Sequence, residues 1–342
     1  MQGIQKLRKI FNLLKKDIAK AIIRRLRPQY LYKYRGFNAS TIENIYNSEL
    51  WFACPYQYND PFDNQLDYNY NFNEDSIGNF AQLVHEIIAH IPSNALNETP
   101  TFEWVVNELK SNDKYLHNMA DGIVSHITAT NRICCFSSKQ NNLLMWAHYA
   151  DSHKGICLEF DTLKDLDTFS STVPVQYVKK YPYLSIINNF EAIISRCILT
   201  KSKEWKYENE YRVIENLTPS ERDLLLNNSI KQQSNVPIKK RYKDESLRRI
   251  IFGCGALQIG TNSNEINKIE KFVLEINKLF PHVVFTISEK VVGEFRILTD
   301  KEITVQKVLS KINDIRNAQI FREKEVMPVF TNLFEQMYLK RD

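Results

Sequence analysis

Residues 131–161, NRICCFSSKQNNLLMWAHYADSHKGICLEFD, decide the fold, because polar and apolar signals lie closer together here than anywhere else in the chain. Arg132 to Phe136 is a short run rich in Ile, Cys and Phe, bounded by Asn131 and by Ser137-Ser138, and its length and bounds predict a buried strand. A helix follows. Asn141 or Asn142 supplies an N-cap oxygen for the first free backbone N–H groups, and Leu143, Leu144, Ala147 and Tyr149-Ala150 recur at helical spacing. After Gly155 the run Ile156-Cys157-Leu158-Glu159-Phe160 predicts the next strand. Strand, helix and strand thus fit into about thirty residues. Polar residues gather where this unit turns, with Ser137 and Ser138 after the first strand and His148, Tyr149, Asp151, His153 and Lys154 around the helix end. Such turns are where a rigid scaffold commonly presents a site. Trp146 and Tyr149 read first as core and groove fillers. His148 and His153, five apart, do not stack on one helical face, and no Cys or carboxylate pair completes a tetrahedral set, so no metal is expected.

With 342 residues the chain can bury a full core, and 43% apolar with 25% charged residues is ordinary for a globular protein. Only nine glycines occur, and neither G-x-G-x-x-G nor G-x-x-x-x-G-K-[ST] is found, which excludes the common glycine-rich phosphate loops. Cys54, Cys134, Cys135, Cys157, Cys197 and Cys254 lie mostly in apolar runs with no C-x-x-C, as expected of reduced core thiols. No run of eighteen apolar residues and no secretory h-region is present, so a cytoplasmic location is expected. The formal net charge of +5 is uneven: residues 1–27 carry nine Lys or Arg against Asp17 alone, which leaves the remainder mildly acidic.

That basic segment has helical spacing. Ile4, Leu7, Phe11, Leu14, Ile18, Ala21 and Ile22 share one face, Lys and Arg fall elsewhere, and Arg27-Pro28 ends it, predicting a basic amphipathic helix over 1–28. Such a helix suits nucleic acid, an anionic membrane surface or an acidic partner, and equally packs on its own protein or a second copy. The main domain is expected over 29–299, with C-terminal helices over 300–342. Tyr30 to Arg35 predicts a strand, Asn38-Ala-Ser40 caps a helix over about 41–48 with Glu43 completing a capping box, and Leu50 to Ala53 predicts a second strand. Asn59-Asp60-Pro61 fixes a turn that leaves Asp60 and Asp63 available. Residues 74–130 read as a helical insertion or lid. Val173 to Val178 predicts a strand, Asn188 to Thr200 a helix and 216–249 loop and helix. Strands are also expected at 249–254, 283–288 and 294–298, with a helix over 262–280. In the strand beginning at Glu210, alternation turns Glu208, Glu210 and Arg212 one way; read alone, two such carboxylates are a solvated strand face. The expected class is therefore α+β, a mixed and mainly antiparallel sheet with helices around it.

YKYR, LWFACPYQYNDPFD, CFSS with MWAHYADSHKGICLEF, KEWKYENEYRVI and IIFGC, in this order, resemble the bacterial family known as the domain of unknown function 2971, from about residue 30 to 298. That resemblance implies no activity. A second likeness is to the Arg-Ser-Glu group of ADP-ribosyltransferases, carried by Arg35, by Phe136-Ser137-Ser138 and by Glu208-Asn209-Glu210. It implies NAD as substrate, with Glu210 on the nicotinamide ribose and Glu208 as base toward the acceptor. Arg35 would clamp phosphate and Ser137 position the ribose, with Ser138 and Tyr149 completing the nucleotide-binding set. A carboxylate beside the ribose stabilises the oxocarbenium-like charge left when nicotinamide departs.

Three function classes follow. The first is an NAD-consuming ADP-ribosyltransferase or glycohydrolase, a toxin or anti-phage effector with a protein or nucleic-acid acceptor. The second is a non-enzymatic module whose aromatic cleft around Tyr56, Trp146 and Tyr149 binds a nucleotide or peptide. The third is a nuclease holding Mg²⁺ through Asp60, Asp63 and Glu159.

Overall fold

The computed structural model describes residues 27–64, 74–89, 100–112, 114–115, 118, 121–122, 131–180, 196–216 and 238–334. Along the chain run β1 (Tyr30–Arg35), α1 (Ala39–Tyr46), β2 (Glu49–Phe52), α2 (Glu74–Ala89), α3 (Phe102–Ser111), β3 (Asn131–Ser137), α4 (Leu143–Tyr149) and β4 (Ile156–Asp161). Next come α5 (Leu166–Phe169), β5 (Val173–Pro174), β6 (Gln176–Val178), β7 (Thr200–Ser202), β8 (Glu210–Asn216), β9 (Ile238–Arg241) and β10 (Leu247–Phe252). The last are α6 (Ser263–Leu279), β11 (Val284–Ile287), β12 (Glu289–Lys290), β13 (Ile297–Leu298), α7 (Val305–Phe321) and α8 (Met327–Phe334). Helices and mostly antiparallel strands make the class α+β, as the sequence implies.

Two compact units share the chain, the first of Met1–Leu50, Phe136–Ser170 and Arg241–Asp342, the second of Trp51–Cys135 and Ser171–Lys240. In the first, β1 pairs antiparallel with β4 along its whole length, from Tyr30 opposite Asp161 to Arg35 opposite Ile156. On its other side Tyr32 lies opposite Ser137. The 131–161 unit therefore straddles β1. β4 is buried at every position, Glu159 and Asp161 included, which explains its mostly apolar run. β10 pairs antiparallel with β4 and parallel with β11. α6 starts where the Asn262 side chain accepts from the Asn264 N–H at 2.8 Å, and it buries Ile266, Ile269, Phe272, Val273 and Ile276 at helical spacing. Phe272 meets Phe252 of β10 edge to face, with centroids 6.4 Å apart. Each such side chain contributes about 1.5–3 kcal/mol by leaving water. α7 buries Val308, Ile312 and Ile315 and ties Arg316 to Glu270 of α6 at 2.6 Å.

In the second unit, β5 pairs antiparallel with β8 and β6 pairs parallel with β7. α2 and α3 pack through Phe80, Ala81, Val84, Val105 and Leu109, all buried, with His85 edge-on to Phe102. Thr101 caps α3 through the Trp104 N–H at 3.2 Å.

The structure departs from the sequence pattern at several places. Within 216–249 the described part includes β9, a 3-10 turn at Asp244–Ser246 and the start of β10, which begins at the buried Leu247, two residues before the expected strand. Of 294–298 only Ile297 and Leu298 pair, because the Val291 N–H closes the turn onto the Arg296 carbonyl at 3.0 Å. Asn38 caps α1 at the Thr41 N–H, 2.9 Å, as expected, but the helix ends at Tyr46. The expected basic helix lies outside the described residues apart from Arg27 and Pro28, as does most of the 188–200 helix.

Candidate functional site

The densest group of charges in the second unit is built around Lys201. A 3-10 helix, Lys203–Glu208, ends at Asn209 in the left-handed region, φ 46°, and β8 begins at Glu210. Asn tolerates that conformation better than most residues, and the kink lets carboxylates two apart reach one point although only Glu210 is in the strand. Lys201 Nζ lies 2.5 Å from Glu208 Oε2 and 3.1 Å from Glu210 Oε2, and 3.6 Å from Asp63 Oδ2. Arg212, next on the same side of β8, donates from Nε to Glu210 Oε1 at 2.8 Å and from Nη2 to Asp63 Oδ2 at 2.5 Å. Its Nη1 also reaches the Ile198 carbonyl. The guanidinium lies over the Tyr58 ring, 5.4 Å from the centroid, and the Tyr58 hydroxyl is 3.3 Å from Cys135 Sγ. Tyr177 closes the group by accepting the Glu210 backbone N–H at 2.8 Å.

These carboxylates are not the solvated strand face that their spacing alone suggests. Glu208 is 3% exposed and Glu210 5%. Burial pushes the Glu210 carboxyl up, but Arg212 and Lys201 outweigh it and hold the group well below the usual carboxylate range. Burial pulls Lys201 down, yet Glu210, Glu208 and Asp63 together leave it above the ordinary lysine value. Both partners are therefore charged at neutral pH. A carboxylate so held cannot shuttle protons; it can only act by its charge.

Arg35, Ser137, Ser138 and Tyr149 lie in the first unit. Strand alternation separates two of them. Tyr32 faces Ser137 across the sheet, and Arg35, three positions on, turns to the opposite face together with Lys33, whose ammonium sits over Phe136 at 5.0 Å. Arg35 and Ser137 therefore do not line one pocket. The Ser137 hydroxyl accepts the Lys139 N–H at 3.1 Å, Ser138 is half-buried at the strand end, and Tyr149 is half-buried with its ring edge-on to His148. Trp146 is fully buried, its indole N–H donating to the Gln140 carbonyl at 2.8 Å, so it fills core and lines no cleft; the Tyr56 side chain lies outside what is described. Of the three acids suited to Mg²⁺, Asp63 is taken by Arg212 and Glu159 by Arg248 and Arg249, while Asp60 Oδ1 accepts the Phe62 N–H at 2.9 Å. Among the described residues no group of three His, Cys, Asp or Glu is arranged to hold a metal ion.

Residues 145–213 match the family model described as Protein of unknown function (DUF2971). The match takes in MWAHYADSHKGICLEF and KEWKYENEYRV, so it bears out the family likeness over that stretch, from α4 to the charged group on β8. No curated protein and no solved structure matches the chain. Among the described residues no helix is long and apolar enough to cross a membrane.

The sequence pattern points to Glu208, Glu210 and Arg212 but not to Lys201, Tyr58, Cys135 or Tyr177. Lys201 had a usable signal, standing in a three-residue strand just before the KEWKYE turn. The others are joined by tertiary contact alone.

Proposed function

We propose that the second unit acts on NAD, as an ADP-ribosyltransferase or NAD glycohydrolase of the effector kind, with the ionised Glu210 carboxylate as its electrostatic stabiliser and Glu208 beside it. The observation that carries this reading is the meeting of both carboxylates on one ammonium, Lys201 Nζ at 2.5 and 3.1 Å, with Glu210 kept ionised by Arg212. Loss of nicotinamide leaves positive charge on the ribose ring, and an ionised carboxylate in a poorly solvated place stabilises that charge far better than one in water. Glu208, ion-paired to the same Lys201, adds a second negative charge beside Glu210, and the nucleophile comes from water or from an acceptor protein or nucleic acid. Arg35 and Ser137, on opposite faces of their sheet, do not enter this reading as a pair.

Calorimetry with NAD, ADP-ribose, nicotinamide mononucleotide and ATP tests it. NAD binding is expected, weakened by Glu210→Gln in a protein that melts as a single folded species. Nucleotide binding that is indifferent to Glu210→Gln contradicts it and favours a non-enzymatic nucleotide-binding module.

A further inference from the structure

A second pair of reactive groups lies in the first unit, and neither the family match nor the reading above uses both. His153 and Cys254, 101 residues apart, approach to 3.8 Å between Nδ1 and Sγ. The approach is held by backbone, not by chance side-chain contact. Asp151, Ser152 and His153 are three consecutive residues with positive φ, 47°, 50° and 69°, a run that costs about 1–3 kcal/mol per residue and survives only where surroundings enforce it. The His153 N–H donates to the Trp146 carbonyl at 3.1 Å, its carbonyl accepts from Gly255 N–H at 2.9 Å, and Gly253 N–H donates to the Gly155 carbonyl at 2.9 Å. The imidazole lies nearly parallel to the buried indole of Trp146, 13° between planes. A ring fixed in this way presents Nδ1 to the sulfur.

We propose that Cys254 is a nucleophile with His153 as its general base, and that the pair takes an acyl group from an activated ester or thioester onto sulfur. Nδ1 receives the Sγ proton as sulfur forms its bond to the carbonyl carbon. The bond from that carbon to the donor's oxygen or sulfur then breaks, and the leaving group departs with the proton from the imidazolium. No oxidant enters. The charge states suit base catalysis: burial and then Lys290 lower the His153 pKa, keeping the ring neutral, while burial raises that of Cys254 against Lys290 and its own backbone N–H. Lys290 acts electrostatically on both groups, and a positive charge of this kind favours the oxyanion of the tetrahedral adduct.

The probe is p-nitrophenyl acetate on the full chain, with nitrophenolate release followed by absorbance and the acetylated residue located by peptide mass. An unassisted thiol with a raised pKa reacts more slowly than free N-acetylcysteine amide at pH 7. The dyad predicts the reverse for Cys254, by about tenfold or more, and a loss of that advantage in His153→Asn, where Asn tolerates the positive φ. Added imidazole is expected to restore part of the rate. Acetylation of wild-type Cys254 no faster than the free thiol overturns the proposal, as does an unchanged rate in a His153→Asn protein with the wild-type melting temperature. The wild-type comparison decides the matter even where the variant does not fold.

Discussion

Arg212 and Asp63, 149 residues apart in the chain, meet in a two-pronged ion pair, Nη2 to Oδ2 at 2.5 Å and Nη1 to Oδ1 at 3.1 Å, with both side chains essentially out of water. Removing one partner strands the other. Arg212→Met leaves Asp63 and Glu210 buried without their guanidinium, and a loss of about 3–5 kcal/mol is expected from urea unfolding. A change below about 1 kcal/mol would show the pair to be screened by solvent.

Acid should find the same group. The folded-state pKa of Glu210 lies below its unfolded value of about 4.3, so its contribution is complete above that value and is lost as pH falls through the carboxylate range. Melting temperature measured from pH 7 downward is expected to fall less steeply for Glu210→Gln than for the wild type. Parallel acid slopes would remove Glu210 from the linkage.

Two glycines allow the turn that carries His153. A Cβ on Gly253 would stand 2.0 Å from the His153 carbonyl oxygen, and one on Gly155 would stand 2.3 Å from the Arg35 carbonyl oxygen. Backbone cannot yield cheaply at either place, so Gly253→Ala and Gly155→Ala are each expected to cost more than about 3 kcal/mol. Soluble variants with wild-type melting temperatures would contradict the close packing.

A milder change separates positioning from charge. In Tyr177→Phe the Glu210 N–H loses its 2.8 Å acceptor while the ion pairs stay, and chemical denaturation is expected to show a loss of about 1–3 kcal/mol.

Much of the local structure is legible because it follows rules of short range. β1 falls on Tyr30–Arg35 as its aromatics imply, Asn142 caps α4, Asn262 caps α6, and the fully buried β4 reads as a mostly apolar run. The charged group is harder to read. Two carboxylates at alternate positions look solvated until Lys201, Arg212 and Asp63 are brought to them, and those meetings depend on pairing across the sheet and on the left-handed Asn209. The separation of Arg35 from Ser137 is a matter of register: one residue more or fewer along β1 would put them on the same face. His153 and Cys254 carry no sequence signal as a pair, since 101 residues and three unusual φ angles lie between reading and contact.

Nicotinamide released from NAD by the purified full chain, quantified by chromatography, tests the central claim most directly. The account predicts release by the wild type and a loss of about 100-fold or more in a folded Glu210→Gln variant. Equal release by the two proteins, or none from the wild type with candidate protein and nucleic-acid acceptors supplied, would contradict it.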